Sequence, residues 1–287
     1  MQSSRNHFGS GAKTRPNEPC LVFLHVPKTG GQTIESPLIW NFPENERIHL
    51  DILDRRLDEA MNGIPIGIRS QARLVWGHIP YGVHLYMPQR CEYVTILREP
   101  IARVVSVYKY ILRTRDHVLH SRVVEERISL EEYLETGMDE GQTDNSQTRQ
   151  LSGRLFGAVD RIALEEAKRN LETHLLVGLT ERFEETFVLL RRTLGLRMPF
   201  YITRNVSPQY HVSERAVELA RESNELDLEL YGFAYELFAA QLDRQSRSFG
   251  LEVSAYRTLR PLSRAAAGRP ERVLRKLRQW AFANRDG

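Results

Sequence analysis

The sequence predicts an α/β fold, a central parallel sheet flanked by helices. Two observations carry this. Short apolar, β-rich runs alternate with longer stretches of helical character, the pattern of a sheet covered on both faces. In addition, residues 27–33, 77–78 and 98–106 each fall directly after a predicted strand. In sheets of this kind ligands bind beyond the carboxyl ends of the strands.

The elements follow in order. Cys20-Leu-Val-Phe-Leu-His-Val26 reads as a buried strand, because a short run that is apolar but for one histidine needs cover on both faces. A Pro-Lys-Thr-Gly-Gly turn follows, with a helix from about Thr33. Arg55 to Met61 is a weak helical stretch, broken by Asn62-Gly63-Ile64-Pro65. Ala72-Arg-Leu-Val-Trp76 and Glu92-Tyr-Val-Thr-Ile-Leu97 read as further strands. A helix over Ile101–Arg113 follows, with Pro100 near its first turn and Val104, Val105, Tyr108 and Ile111 on its apolar face. Residues 114–160 read as polar and loop-rich, with a short helix near 129–135. Leu164–Thr173 reads as a helix and Leu175–Leu179 as a strand. Thr180 is a candidate cap for a helix over Glu181–Leu194, and Ser213 for one beginning at Arg215. Helical spacing continues to Leu242.

The chain has 287 residues, 41% hydrophobic and 27% charged, an ordinary globular balance. Three segments are expected: a disordered leader at 1–19, a main domain at 20–250, and a basic helical tail at 251–287. The net charge of +3 is uneven. Residues 257–287 hold nine Lys/Arg against two Asp/Glu, so the rest of the chain is mildly acidic. Nucleic-acid binding is therefore not expected of the main domain. In the tail, Val273, Leu274, Leu277, Trp280 and Ala281 recur at helical spacing among Arg272, Arg275, Lys276 and Arg278. That pattern suits peripheral contact with an anionic membrane, or packing on the body. Cys20 and Cys91 cannot form a disulfide framework and read as core residues in a reducing, cytoplasmic compartment. The leader lacks the apolar stretch of a signal peptide.

The loop Pro27-Lys28-Thr29-Gly30-Gly31-Gln32-Thr33 carries the chemistry. A strand leading through glycines into a helix start cradles an anion with backbone N–H groups and the helix dipole. Lys28 adds a full charge, and Thr29 and Thr33 add hydroxyls. The loop is not a Walker A motif, because Lys28 precedes both glycines. Arg98 ends a strand, and Ser106 lies eight residues on in the next helix. A forked charged donor and a neutral one can grip a phosphate from two sides. Taken singly, each element also reads as a solvated surface group.

Together, Phe23-Leu-His-Val-Pro-Lys-Thr-Gly-Gly-Gln-Thr33 and Thr95-Ile-Leu-Arg-Glu-Pro-Ile-Ala-Arg-Val-Val-Ser106 resemble the sulfotransferases that use 3′-phosphoadenosine 5′-phosphosulfate, PAPS. The wording is most similar to the branch of heparan sulfate 2-O-sulfotransferases and their bacterial relatives. Softer matches are Gly77-His-Ile-Pro-Tyr-Gly82, Asp144-Asn-Ser-Gln-Thr-Arg-Gln-Leu151 and Val177-Gly-Leu-Thr-Glu-Arg-Phe183, so the resemblance spans roughly residues 20–245. It implies a P-loop, nucleotide-kinase-like fold and the co-substrate PAPS without a metal. By resemblance Lys28, Thr29, Gly30, Gly31, Gln32 and Thr33 hold the 5′-phosphosulfate, and Arg98 and Ser106 the 3′-phosphate. Arg103 is a further candidate there.

Sulfuryl transfer needs in-line placement, a base for the acceptor hydroxyl, and positive charge on the departing phosphate. Lys28 is the expected electrostatic stabiliser and His78 the expected base. An imidazole suits that task, titrating near pH ~6.5 in isolation. Related enzymes resemble His-Gly-His at this point, whereas this chain reads Trp76-Gly77-His78. His84 is a candidate helper, and Glu44 or Glu46 an alternative base. Asn145, Gln147 and Arg149 are candidates either to contact the acceptor, a glycan or glycolipid hydroxyl, or to order a loop over the site. A small-molecule kinase and a non-catalytic nucleotide-binding protein are the competing readings.

Overall fold

In a computed structural model the described residues are 18–52, 55–197 and 210–266. The strands are β1 (Cys20–Leu24), β2 (Arg47–His49), β3 (Leu74–Gly77), β4 (Cys91–Leu97) and β5 (Leu175–Leu179). They form one sheet in the order β2-β3-β1-β4-β5, with every pairing parallel. The α/β class expected from the sequence is the observed one.

Strand β1 occupies the centre because all five of its side chains are apolar and fully buried. Their alternation divides the core. Cys20, Val22 and Leu24 face one hydrophobic layer, and Leu21 and Phe23 face the other. Burying each such large apolar side chain is worth about 1.5–3 kcal/mol. The chain leaves β1 towards β3 and β2 on one side and towards β4 and β5 on the other. The carboxyl end of β1 is therefore the topological switch point, where a crevice opens for ligands.

The helices are α1 (Gly31–Ile39), α2 (Leu57–Asn62), α3 (Ile66–Gln71), α4 (Pro100–Arg113), α5 (His120–Glu125), α6 (Leu130–Glu135) and α7 (Glu140–Thr143). They continue with α8 (Ser146–Ser152), α9 (Arg161–His174), α10 (Phe183–Thr193), α11 (Glu214–Glu222), α12 (Glu225–Asp243) and α13 (Ser248–Ala266). Helix α4 starts where Pro100 takes the first turn and the Glu99 carboxylate accepts from Ile101 N–H and Ala102 N–H. Its apolar face, with Val104, Val107, Tyr108 and Ile111, joins α6 and α11 in a satellite core. Ser213 caps α11 as expected, accepting from Ala216 N–H.

Three expectations are corrected here. Residues 114–160 are less loop-rich than expected, since α5, α7 and α8 accompany the expected helix near 129–135, which is α6. Thr180 does not cap α10, whose N-cap is Arg182; its hydroxyl bonds the carbonyls of Thr29 and Leu97 instead. Position 250 falls inside α13, which is pinned to α10 where Arg191 and Arg192 pair with Glu252 and Tyr256 packs edge-on to Phe187. The leader before residue 18 and the basic stretch after residue 266 lie outside the described residues. Among the described residues, no helix is long and apolar enough to cross a membrane.

Candidate active site

The carboxyl ends of all five strands contribute to one site. The loop after β1 bends sharply, with Lys28 at φ 69° and Gly30 at φ 81°. Glycine takes this left-handed conformation freely, but for lysine it costs about 1–2 kcal/mol. The turn is braced from three directions. Arg98 Nη1 donates to the Lys28 carbonyl at 3.0 Å, Arg103 Nη1 to that of Pro27 at 3.4 Å, and the Thr180 hydroxyl to that of Thr29 at 2.5 Å. The Thr29 hydroxyl donates back to the Val26 carbonyl at 2.9 Å. Thr29 therefore shapes the loop through its side chain, and Thr33 N–H closes the first turn of α1 onto the Gly30 carbonyl at 3.0 Å.

The positive groups gather on one side of the loop. Lys28 Nζ lies 3.9 Å above the Tyr110 ring of α4. Its pKa is pushed down to about 8, first by burial and then by Arg113 and Arg98. Burial likewise lowers the Arg98 guanidinium, whose Nε is buried and without a hydrogen-bond partner. Crowded, partly desolvated cations with an unmet donor are what an anion would relieve. Arg103, Ser106 and Tyr110 follow at helical spacing, so Ser106 lies on the stripe of α4 that faces the loop. Arg103 itself is fully buried and donates to Pro27 and Gln142. It braces the loop, and its Nε, like that of Arg98, is buried without a hydrogen-bond partner.

The base candidate sits on the other side of β1. His78 follows β3, and Asp51 follows the edge strand β2. The His78 Nδ1–H donates to Asp51 Oδ1 at 2.9 Å. That bond is the first cause holding the Asp51 carboxyl below its usual range, so the carboxylate is ionised and the basic nitrogen of the imidazole is Nε2. The His25 ring packs against His78 with centroids 4.6 Å apart. Burial, followed by the charge of His78, lowers the His25 pKa to about 3, which leaves it neutral. His25 also reaches the anion loop: a Cβ on Gly31 would lie 2.2 Å from its ring. One imidazole thus touches both the glycine loop and His78. Gly77 permits the strand ends to close in, since a Cβ there would lie 1.8 Å from the Leu50 carbonyl.

The remaining candidates are placed elsewhere. His84 binds the Tyr93 hydroxyl through Nδ1 at 2.7 Å, and the imidazole packed against His78 is that of His25. Glu44 is exposed, and Glu46 pairs with Arg73 beside the amino end of β2, at the edge opposite the site. Gln32 is exposed on the first turn of α1. Asn145, Gln147 and Arg149 are buried and so are not open acceptor contacts. Arg149 pairs with Asp144, and Asn145 Oδ1 accepts from Asp227 N–H. Gln147 binds the backbone of Arg98, and Gln150, one turn on, donates to the carbonyls of His25 and Ile79. Sequence reasoning missed Asp51, His25 and Gln150. His25 was visible in the motif Phe23-Leu-His-Val-Pro-Lys, but it was counted within a strand. Among the described residues no group of three or more His, Cys, Asp or Glu is arranged to hold a metal ion.

The chain aligns with heparan-sulfate 6-O-sulfotransferase 1 of Homo sapiens at 25% identity, covering 88% of this chain and 75% of that one. It aligns with the Cricetulus griseus protein of the same name at 25%, covering 76% and 67%. These likenesses support a sulfotransferase. Heparan-sulfate 6-O-sulfotransferase 2 of Homo sapiens is also 25% identical, over 76% of this chain but 44% of the relative. All three are 6-O enzymes by name, so the 2-O branch suggested by the motifs is not carried by them. A mouse sulfotransferase solved with PAP has a TM-score of 0.35 and 12% identity, covering 93% of this chain and 90% of that one. No family model matches the chain.

Proposed function

We propose that the protein transfers the sulfuryl group of PAPS to a hydroxyl of an anionic glycan of the glycosaminoglycan type. The single observation that carries the reading is the flanking of one strand end by two complementary devices. An anion loop with Lys28 and Arg98 lies on one side of β1, and a carboxylate-oriented imidazole, His78 with Asp51, on the other. The glycan class is supported by the names of the relatives.

PAPS supplies the sulfuryl group, and the residues do the rest. The loop Lys28–Thr33 and the start of α1 bind the 5′-phosphosulfate end, and Arg98, with its unmet Nε–H, binds the 3′-phosphate together with Ser106. His78 Nε2 takes the proton of the acceptor hydroxyl as the new O–S bond forms. The S–O bond to the 5′-phosphate breaks, and Lys28 stabilises the charge left on that phosphate. Asp51 fixes the tautomer of His78 and stabilises the imidazolium.

Calorimetric titration with 3′-phosphoadenosine 5′-phosphate (PAP), 5′-AMP and ATP tests the reading. PAP is expected to bind most tightly. A preference for ATP, with phosphoryl transfer on adding magnesium, would instead establish the kinase reading.

A further inference from the structure

Arg98 lies one residue beyond the last pairing of β4, and at this level β1 has already turned away into the anion loop. The position next to it is filled by a side chain. Gln147 Oε1 accepts from the Arg98 N–H at 3.0 Å, and Gln147 Nε2 donates to the Arg98 carbonyl at 2.9 Å. A carboxamide thus makes the two bonds that a neighbouring strand would have made. Gln147 is 1% exposed, and its own backbone N–H donates to Asp227 Oδ2 at 3.0 Å. Asp227, wholly buried on α12, also accepts from Thr148 N–H and from the Thr148 hydroxyl, each at 2.7 Å. The clamp is therefore anchored in the core, and its free end holds one residue.

We propose that Gln147 is a positioning residue that sets the protein's selectivity for a 3′-phosphorylated nucleotide, by fixing the backbone from which the Arg98 guanidinium reaches the site. The proposal rests on the reading that Arg98 binds the 3′-phosphate. Its physical basis is the length of the arginine side chain. Lost pairing at the Arg98 backbone frees the guanidinium to find other partners, and the forked grip on a phosphate demands fixed geometry. The 5′-phosphate end is held by the loop after β1, whose backbone Gln147 does not bond in this way. The clamp reaches that loop only indirectly, through the Arg98 Nη1 bond to the Lys28 carbonyl, so a 5′-monophosphate should lose less than a 3′-phosphorylated nucleotide when the clamp is removed.

The test compares PAP with 5′-AMP on the full chain by calorimetry, for the wild type, Gln147→Met, Gln147→Glu and Arg98→Ala. Methionine keeps the volume and removes both bonds. Glutamate keeps an acceptor for the Arg98 N–H and removes the donor. Two hydrogen bonds of ordinary net strength correspond to a loss of roughly tenfold to a hundredfold in PAP affinity for Gln147→Met. The Gln147→Glu protein is expected between that value and the wild type, with a distinctly smaller loss of 5′-AMP affinity than of PAP affinity in both. Should Gln147→Met fail to fold, the Gln147→Glu protein alone decides. Equal loss for PAP and 5′-AMP, or an unchanged ratio between them, overturns the proposal, provided that Arg98→Ala abolishes the preference for PAP. If Arg98→Ala leaves that preference intact, the assignment of Arg98 falls, and the role of Gln147 falls with it.

Discussion

His78 Nδ1 donates to Asp51 Oδ1 across 2.9 Å, although the two side chains leave the ends of different strands. The pairing follows from the sheet. Strand β2 runs parallel to β3 in the register His49↔Trp76, so the residues that follow both strands emerge together. Gly77 lets the two chain segments approach, with the Leu50 carbonyl where a Cβ would stand.

Replacing His78 with alanine is predicted to lower the rate of sulfuryl transfer about 10²- to 10⁴-fold, the usual worth of a general base. PAP affinity should be nearly unchanged. Asp51→Asn should lower the rate by less, because the base remains while its tautomer is no longer enforced. Steady-state kinetics paired with PAP titration check both. Equal losses in binding and turnover would assign these residues to structure.

The charge on Lys28 should govern donor affinity at alkaline pH. With its pKa near 8 in the free protein, Lys28 is protonated below that value and loses its charge above it. Anion binding favours the charged form, so PAP affinity is predicted to fall as pH rises through about 8. Titrations across that range in wild type and Lys28→Arg decide the point. Arginine stays charged, so the fall at pH 8 should vanish in the variant.

Acid should destabilise the protein through His25. Its folded pKa of about 3 lies below the value of about 6.5 expected in the unfolded chain. Between these values the unfolded state binds a proton that the folded state refuses. Stability is thus fully present above about pH 6.5 and declines as pH falls towards 3. Denaturant unfolding as a function of pH should show this slope, and His25→Phe should flatten it.

Gly31→Ala should damage the site from within. The added methyl meets the His25 ring at 2.2 Å, and that ring is stacked between Phe23 and His78. Overpacking of this kind costs about 1–3 kcal/mol. Both stability and transfer rate are expected to fall, since the ring bears on the loop and the base together. The same substitution at Gly67, where a Cβ meets nothing within 4 Å, is the control.

The sheet was legible because β1 and β5 are continuous apolar runs and β4 is apolar but for Glu92 and Thr95, and their boundaries shift by only a residue or two. Strand β2 was not legible. It is three residues long, at the sheet edge, and reads Arg-Ile-His; with it went Asp51, the partner of His78. Helix α8 was hidden for a different reason. From Ser146 to Gln150 every residue is polar and buried, so the alternation that marks a surface helix is absent. Gln147 and Arg149 consequently looked like open contacts, whereas hydrogen bonds to backbone and carboxylates satisfy them. That the loop, Arg98 and His78 follow strand ends was legible, because the strands before them are marked by their apolar residues. The full burial of Arg103 was not legible, since a charged residue in a helix carries no sign of it in the sequence.

The most direct test is to supply the purified protein with sulfur-labelled PAPS and a desulfated heparan-type glycan. The account predicts that label moves to the glycan in the wild type and that the transfer collapses in His78→Ala and Lys28→Ala. Absence of label on the glycan with PAPS bound, or transfer undiminished in His78→Ala, would contradict it.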